Sequence, residues 1–168
     1  MLLKQLLSII ALPVTILLLF PIFLMVEFEF RPLWGLESFS AALVSGLGFA
    51  LIVLGLIQLI YTISIFFSMG KGTIAPWNPT RNLIKTGIYG YTRNPMMIAV
   101  FFVLMGESSI AGSVYLVVYS VIFVIVNLFY IPLVEEPKLI KRFGEEYIKY
   151  QKEVPRWLPT KCQRDKQK

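Results

Sequence analysis

Two short stretches of this chain carry side chains that could do chemistry. In "GIYGYTRNPMM", Gly87 to Met97, an arginine, an asparagine and a proline stand where a polar loop runs into an apolar segment. Arg93 and Asn94 can donate hydrogen bonds, and Pro95 suits the first position of a helix. A helix N-terminus presents unsatisfied N–H groups and the positive end of the dipole, so the cluster suits a carboxylate or phosphate. A guanidinium can also grip a carboxylate through two parallel bonds. The competing reading is interfacial anchoring, with tyrosines at headgroup depth and Arg93 snorkelling to water. In "VEEPKL", Glu135 and Glu136 follow another apolar segment. They could open a solvated helix, where acids suit the dipole. They could also face a cationic ligand such as an ammonium. Adjacent helical residues point in different directions, so one of the two would serve that ligand.

Composition narrows the chemistry further. The chain has no histidine and one cysteine, Cys162. That excludes histidine-ligated zinc and haem, Ser-His-Asp triads, cysteine-rich metal sites and a disulfide framework. No metal site is expected, and the work falls to Glu, Arg, Lys, Tyr, Asn or the backbone. "GKGT" at Gly70 to Thr73 lacks the spacing of a phosphate loop and reads as a turn. Glu107 reads as interfacial. The net charge is +6. Without interleaved basic and aromatic residues, this charge suggests anionic membrane lipids as partners and no nucleic acid.

The elements that must position these residues are apolar. Hydrophobic residues make up 57% of the 168, and the mean hydropathy is +0.71. The expected architecture is all-α: a single multi-pass membrane domain with about four membrane segments. The first is "QLLSIIALPVTILLLFPIFLMV", kinked at Pro13 and Pro21. A signal peptide is its rival reading. The second, Phe39 to Met69, is charge-free and would measure roughly 46 Å as a helix, so it must tilt, kink or protrude. Gly46, Gly48 and Gly55 offer it small faces for close packing. The loop from Gly70 to Arg93 holds four basic residues and no acidic one. A short apolar arm from Asn94 to Gly106 and a full span from Ser113 to Leu133 then form a helical hairpin. In "EEPKLIKRFGEEYIKYQKEV", Leu139, Ile140, Phe143, Tyr147 and Val154 fall near one face of an amphipathic helix. Residues 1–69 thus supply two transmembrane helices, 70–160 the loop, hairpin and C-terminal segment, and 161–168 a tail. The C-terminal region holds ten basic residues, against one in the first link and none in the hairpin turn. With four crossings, the positive-inside rule places the N-terminus, the 70–93 loop and the C-terminus in the cytoplasm.

"RNLIKTGIYGYTRNPMM", followed after one hairpin by "EEPKLIKRFGEEYIKYQKEVPRWLP", resembles the isoprenylcysteine carboxyl methyltransferase and phospholipid methyltransferase group. The resemblance covers roughly residues 70–160. It implies an S-adenosylmethionine-dependent membrane enzyme with a cytosolic cofactor pocket roofed by the C-terminal segment. Carried over by position, Arg81, Asn82, Leu83, Ile84 and Tyr89 match cofactor contacts, as do Arg93, Asn94, Pro95, Met96 and Met97. Glu135 and Glu136 match the acidic pair, and the cofactor contact could be either. Arg93 and Glu136 are the expected catalytic pair, holding the cofactor's carboxylate and its ammonium or ribose.

Asn94 stands where eukaryotic carboxyl methyltransferases have histidine, and "NLFYIPLV" lacks their substrate-side arginine. The implied acceptor is lipophilic: a prenylated cysteine carboxylate, a phospholipid amine, or another acid, amine or thiol. The same R-N-P element is similar to that of NADPH-dependent sterol reductases, where a tyrosine takes the place of Met97. A non-catalytic membrane scaffold is the other alternative.

Overall fold

The computed structural model describes residues 13–28, 32–35, 38–69 and 82–158. Every extended regular element among them is helical. Helix α1 (Thr15–Glu27) opens as a π-helix over Thr15–Leu19 and continues as an α-helix over Phe20–Glu27. The widened turn, with Phe20 N–H bonded to Thr15 O, precedes Pro21. A proline ring clashes with the carbonyl one α-turn back, and the π register makes room for it. The part of the expected first segment before Pro13, and Lys4 ahead of it, lie outside the described residues.

Helix α2 (Ser38–Met69) has 32 residues, and its stretch Phe39–Ile65 is long and apolar enough to cross a bilayer. Helix α3 (Pro95–Ala111) has 17 residues and extends past the expected end at Gly106. Glu107, Ser108 and Ser109 suggested a turn, but both serine hydroxyls bond back to the Met105 carbonyl inside the helix. The chain reverses instead at Gly112, whose φ of 62° closes the last turn. Helix α4 (Val114–Tyr130) runs through a second π turn, Ile131–Glu135, into α5 (Glu136–Phe143). Together they form an apolar helix of 30 residues, the second of spanning length.

The single amphipathic helix expected after Glu135 is two helices. Gly144, at φ 55° and ψ −134°, breaks it before α6 (Glu145–Glu153). Residues with a Cβ pay strain in that conformation, and glycine does not. The apolar face still forms: Tyr147, Tyr150 and Val154 are buried against Leu83, Leu139, Ile140 and Phe143.

Helix α3 is the most enclosed element, and Ala99, Val100, Val103 and Leu104 pack with Leu59 of α2 and Leu17 of α1. Small residues let α2 and α3 approach. A Cβ on Gly55 would lie 2.7 Å from Ala99 O, and one on Gly106 would lie 2.5 Å from Gly48 O. Gly48 and Gly55 thus line the contact, whereas a Cβ on Gly46 would meet nothing within 4 Å. On the far side, Phe28, just past the end of α1, stacks on Tyr115 of α4 at 4.3 Å. The outer faces of α2 and α4 expose Leu47, Phe49, Ile57 and Ile60, and Ile122, Val126 and Phe129. Such continuous apolar exposure suits hydrocarbon as the solvent, and this is a membrane protein.

In detergent unfolding measurements, Gly55→Ala should destabilise the fold by about 1–3 kcal/mol through overpacking. Gly46→Ala should change it by no more than about 1 kcal/mol, in the stabilising direction, because alanine is the better helix former.

Candidate active site

The second π turn sets up the site. Pro132 cannot donate into an α-helical ladder, and the register widens until Glu136 N–H reaches Ile131 O. The two acids that follow Val134 then face different surroundings.

Glu136 is 5% exposed and turns into the protein. Its Oε1 accepts from Arg93 Nη1 at 2.6 Å and from Arg156 Nε at 2.8 Å. Its Oε2 accepts from Arg156 Nη2 at 2.8 Å and from Gln151 Nε2 at 3.1 Å. The Arg156 contact is a bidentate fork, the strong geometry for this pair. Hydrogen bonding to Glu136 raises the Arg156 pKa further above its usual value.

Backbone contacts carry the clamp along the chain. The segment after α6 crosses the start of α3, where Arg93 N–H donates to Pro155 O at 2.9 Å. Thr92 Oγ1 and Asn94 Nδ2 both donate to Arg156 O, at 3.0 and 3.2 Å. Tyr150 Oη donates to Tyr89 O at 2.7 Å, and Lys85 pairs with Glu146 at 2.6 Å. The 82–94 segment is thereby fixed to the C-terminal helices. It is also seated on α2: a Cβ at Gly87 would lie 2.9 Å from Tyr61 Oη.

Between these parts lies a cavity of about 200 Å³. Asn82, Leu83, Ile84, Tyr89, Arg93, Asn94, Pro95, Met96, Met97 and Glu135 all line it. Arg81 lies outside the described residues. Glu136 is not in the wall and stands behind it, bound to Arg93. Arg93 does reach the cavity, but its Nη1 is engaged by Glu136 and its buried Nε has no hydrogen-bond partner among the described residues.

Sequence reasoning did not place Ile131, Leu139, Arg142, Phe143, Tyr147 and Tyr150 in this wall. The apolar spacing of Leu139, Phe143 and Tyr147 was a signal for a shared face, but not for what that face covers. Gln151 and Arg156 gave no signal as partners of Glu136. Burial raises the phenol pKa of Tyr89, reinforced by Tyr150 and Glu135, and burial likewise raises that of Tyr147. Both phenols stay protonated at physiological pH.

A family model described as phospholipid methyltransferase matches residues 42–146, well over half of the chain. The chain belongs to the phospholipid methyltransferase family. No curated protein and no solved structure matches it. The phospholipid methyltransferase match spans most of α2, the whole hairpin and α5, and it stops before Gln151 and Arg156. Membership makes this a methyltransferase-type membrane protein, in agreement with its two long apolar helices.

Glu136→Ala should cost about 3–5 kcal/mol in unfolding experiments, because it leaves buried guanidinium charge without its counter-ion. Glu135→Ala should cost far less. Folding holds the Tyr89 pKa above the ordinary value of about 10, so its stabilising share is complete below that pH. That share declines as pH climbs above it. Tyr89→Phe should flatten this alkaline loss in a pH series of melting curves.

Proposed function

We propose that this protein is an integral membrane methyltransferase that uses S-adenosylmethionine and acts on a lipophilic acceptor. The observation that carries the reading is the convergence of the cofactor-matching residues on one cavity in a chain of this family. The cavity's chemistry fits the cofactor. S-Adenosylmethionine carries an ammonium, a carboxylate, a sulfonium and a purine. The wall offers the Glu135 carboxylate, the Arg93 and Arg142 guanidiniums, and the aromatic rings of Tyr89, Phe143 and Tyr147. Glu135 would receive the ammonium, while Arg93, held by Glu136, would face the carboxylate together with Arg142. When bound, the cofactor supplies a methyl group on a sulfonium, which a nucleophile can take directly.

The chain's own residues then have separate tasks. Glu136 fixes the Arg93 side chain and the strap that follows α6, residues 154–158. The strap, through Pro155 and Arg156, holds the start of α3 in place and helps exclude water from the wall. Glu135 is the carboxylate that remains in the cavity. In this reading the catalytic region lies at the cytoplasmic face, with four crossings and both termini on that side. The distribution of basic residues supports that orientation.

Titration calorimetry of S-adenosylhomocysteine into the detergent-purified protein tests the reading. Micromolar binding is expected. Glu135→Gln should weaken it at least about tenfold, roughly 1.4 kcal/mol, with little change in melting temperature. Failure of well-folded wild type to bind would sink the proposal.

A further inference from the structure

Arg156 does not line the smaller cavity, yet its charge bears on what that cavity can hold. Glu136 is one carboxylate between two guanidiniums, with Arg93 at 2.6 Å and Arg156 at 2.8 Å. Gln151, its remaining partner, is neutral. The cluster therefore carries a formal charge of +1. With Glu136 alone beside it, Arg93 would be half of a neutral pair. Arg156 offsets the carboxylate, so the charge on Arg93 is left to act on the cavity that Arg93 lines.

Burial makes this balance matter. The side chains of Arg93 and Glu136 are 9% and 7% exposed, so water and salt screen their fields weakly. The smaller cavity is also the place where that field has charged neighbours, since Arg142 and Glu135 share its wall with Arg93. A second cavity, of about 620 Å³, meets the first at Met97. Among the described residues, no charged side chain lines that larger space.

The backbone and the side chain of Arg156 make separate contributions. Its carbonyl oxygen accepts from Thr92 Oγ1 and Asn94 Nδ2, which ties the strap to the head of α3. Its guanidinium makes the fork with Glu136. A side-chain substitution removes the charge and keeps the carbonyl.

We propose that Arg156 is a positioning residue that sets ligand preference at a distance: by offsetting Glu136 it keeps Arg93 free to attract an anionic group, and so favours a ligand with a carboxylate in the smaller cavity. The inference rests on the methyltransferase reading, in which Arg93 faces the carboxylate of the cofactor.

Titration calorimetry on the full chain in detergent tests it with three probes. S-Adenosylhomocysteine carries an ammonium and a carboxylate. Its decarboxylated analogue keeps only the ammonium, and methylthioadenosine has neither. Arg156→Gln should weaken S-adenosylhomocysteine binding at least about fivefold, the effect of a nearby unit charge in a weakly screened site. The decarboxylated analogue should bind at least as well as it does to wild type, because less positive charge opposes its ammonium. Methylthioadenosine should stay within about twofold, as expected for a ligand without the coupled group. A merely structural loosening of the strap would weaken all three probes alike, and that result overturns the proposal. So does unchanged binding of S-adenosylhomocysteine. Arg156→Lys keeps the charge and loses the fork, so the preference for S-adenosylhomocysteine over its decarboxylated analogue should stay within about twofold of wild type. Loss of that preference in the lysine variant overturns the proposal even if the glutamine variant fails to fold. Failure of well-folded wild type to bind S-adenosylhomocysteine sinks the methyltransferase reading and this inference with it. Wild-type binding followed by an equal loss for all three probes sinks the inference alone.

Discussion

A buried carboxylate stays charged only if cations and donors replace the water it has lost. Glu136 meets that requirement with Arg93, Arg156 and Gln151, drawn from the start of α3, the strap and α6. Four bonds on two oxygens leave it little capacity for a ligand. They bring together pieces that are far apart in sequence and would otherwise meet only through loop contacts. The wall of the smaller cavity depends on this arrangement, since Arg93 and Asn94 line it and the strap holds both.

The clamp works because the helices beneath it are placed by packing and not by hydrophobicity. In hydrocarbon, apolar side chains gain little by leaving the solvent, and close backbone approach becomes the better source of attraction. Gly48, Gly55 and Gly106 permit that approach between α2 and α3. Gln58 adds a polar tie from α2 to Pro95 O at the head of α3. The proline-associated π turns then adjust direction without breaking the helices. The second of them divides the labour between neighbouring acids: Glu135 faces the cavity and Glu136 faces the protein.

Two spaces of unlike character meet at Met97. One has charged groups of both signs and aromatic rings. The other is apolar, with the neutral side chains of Gln58, Thr92, Asn127 and Trp157 as its polar points. The strap lines the larger cavity with Trp157 and Leu158 and, through Pro155 and Arg156, holds Arg93 and Asn94, which line the smaller one. One element can therefore shape both compartments at once.

Much of this was legible in the residues. Charge-free runs such as Phe39 to Met69 specify helices in lipid, because an unpaired backbone cannot be tolerated there. The spacing of Leu139, Phe143 and Tyr147 encoded a buried face, and the paired motifs around Arg93 and Glu135 marked the region in which the cavity lies. Other features depended on the third dimension. Ser108 and Ser109 looked like turn residues, yet in place they satisfy their hydroxyls within α3. Gly144 looked like one residue in an amphipathic repeat, and only its φ of 55° shows two helices. Nothing in "VEEPKL" tells which acid turns inward, because a π turn shifts the register in a way that residue types do not encode. Nor does "PRWLP" announce that Arg156 completes a buried ion cluster with Glu136. Local physics determined the elements and their apolar faces. The partnership of charges distant in sequence was decided by tertiary structure, because it exists only where the folded backbone brings them within hydrogen-bonding distance.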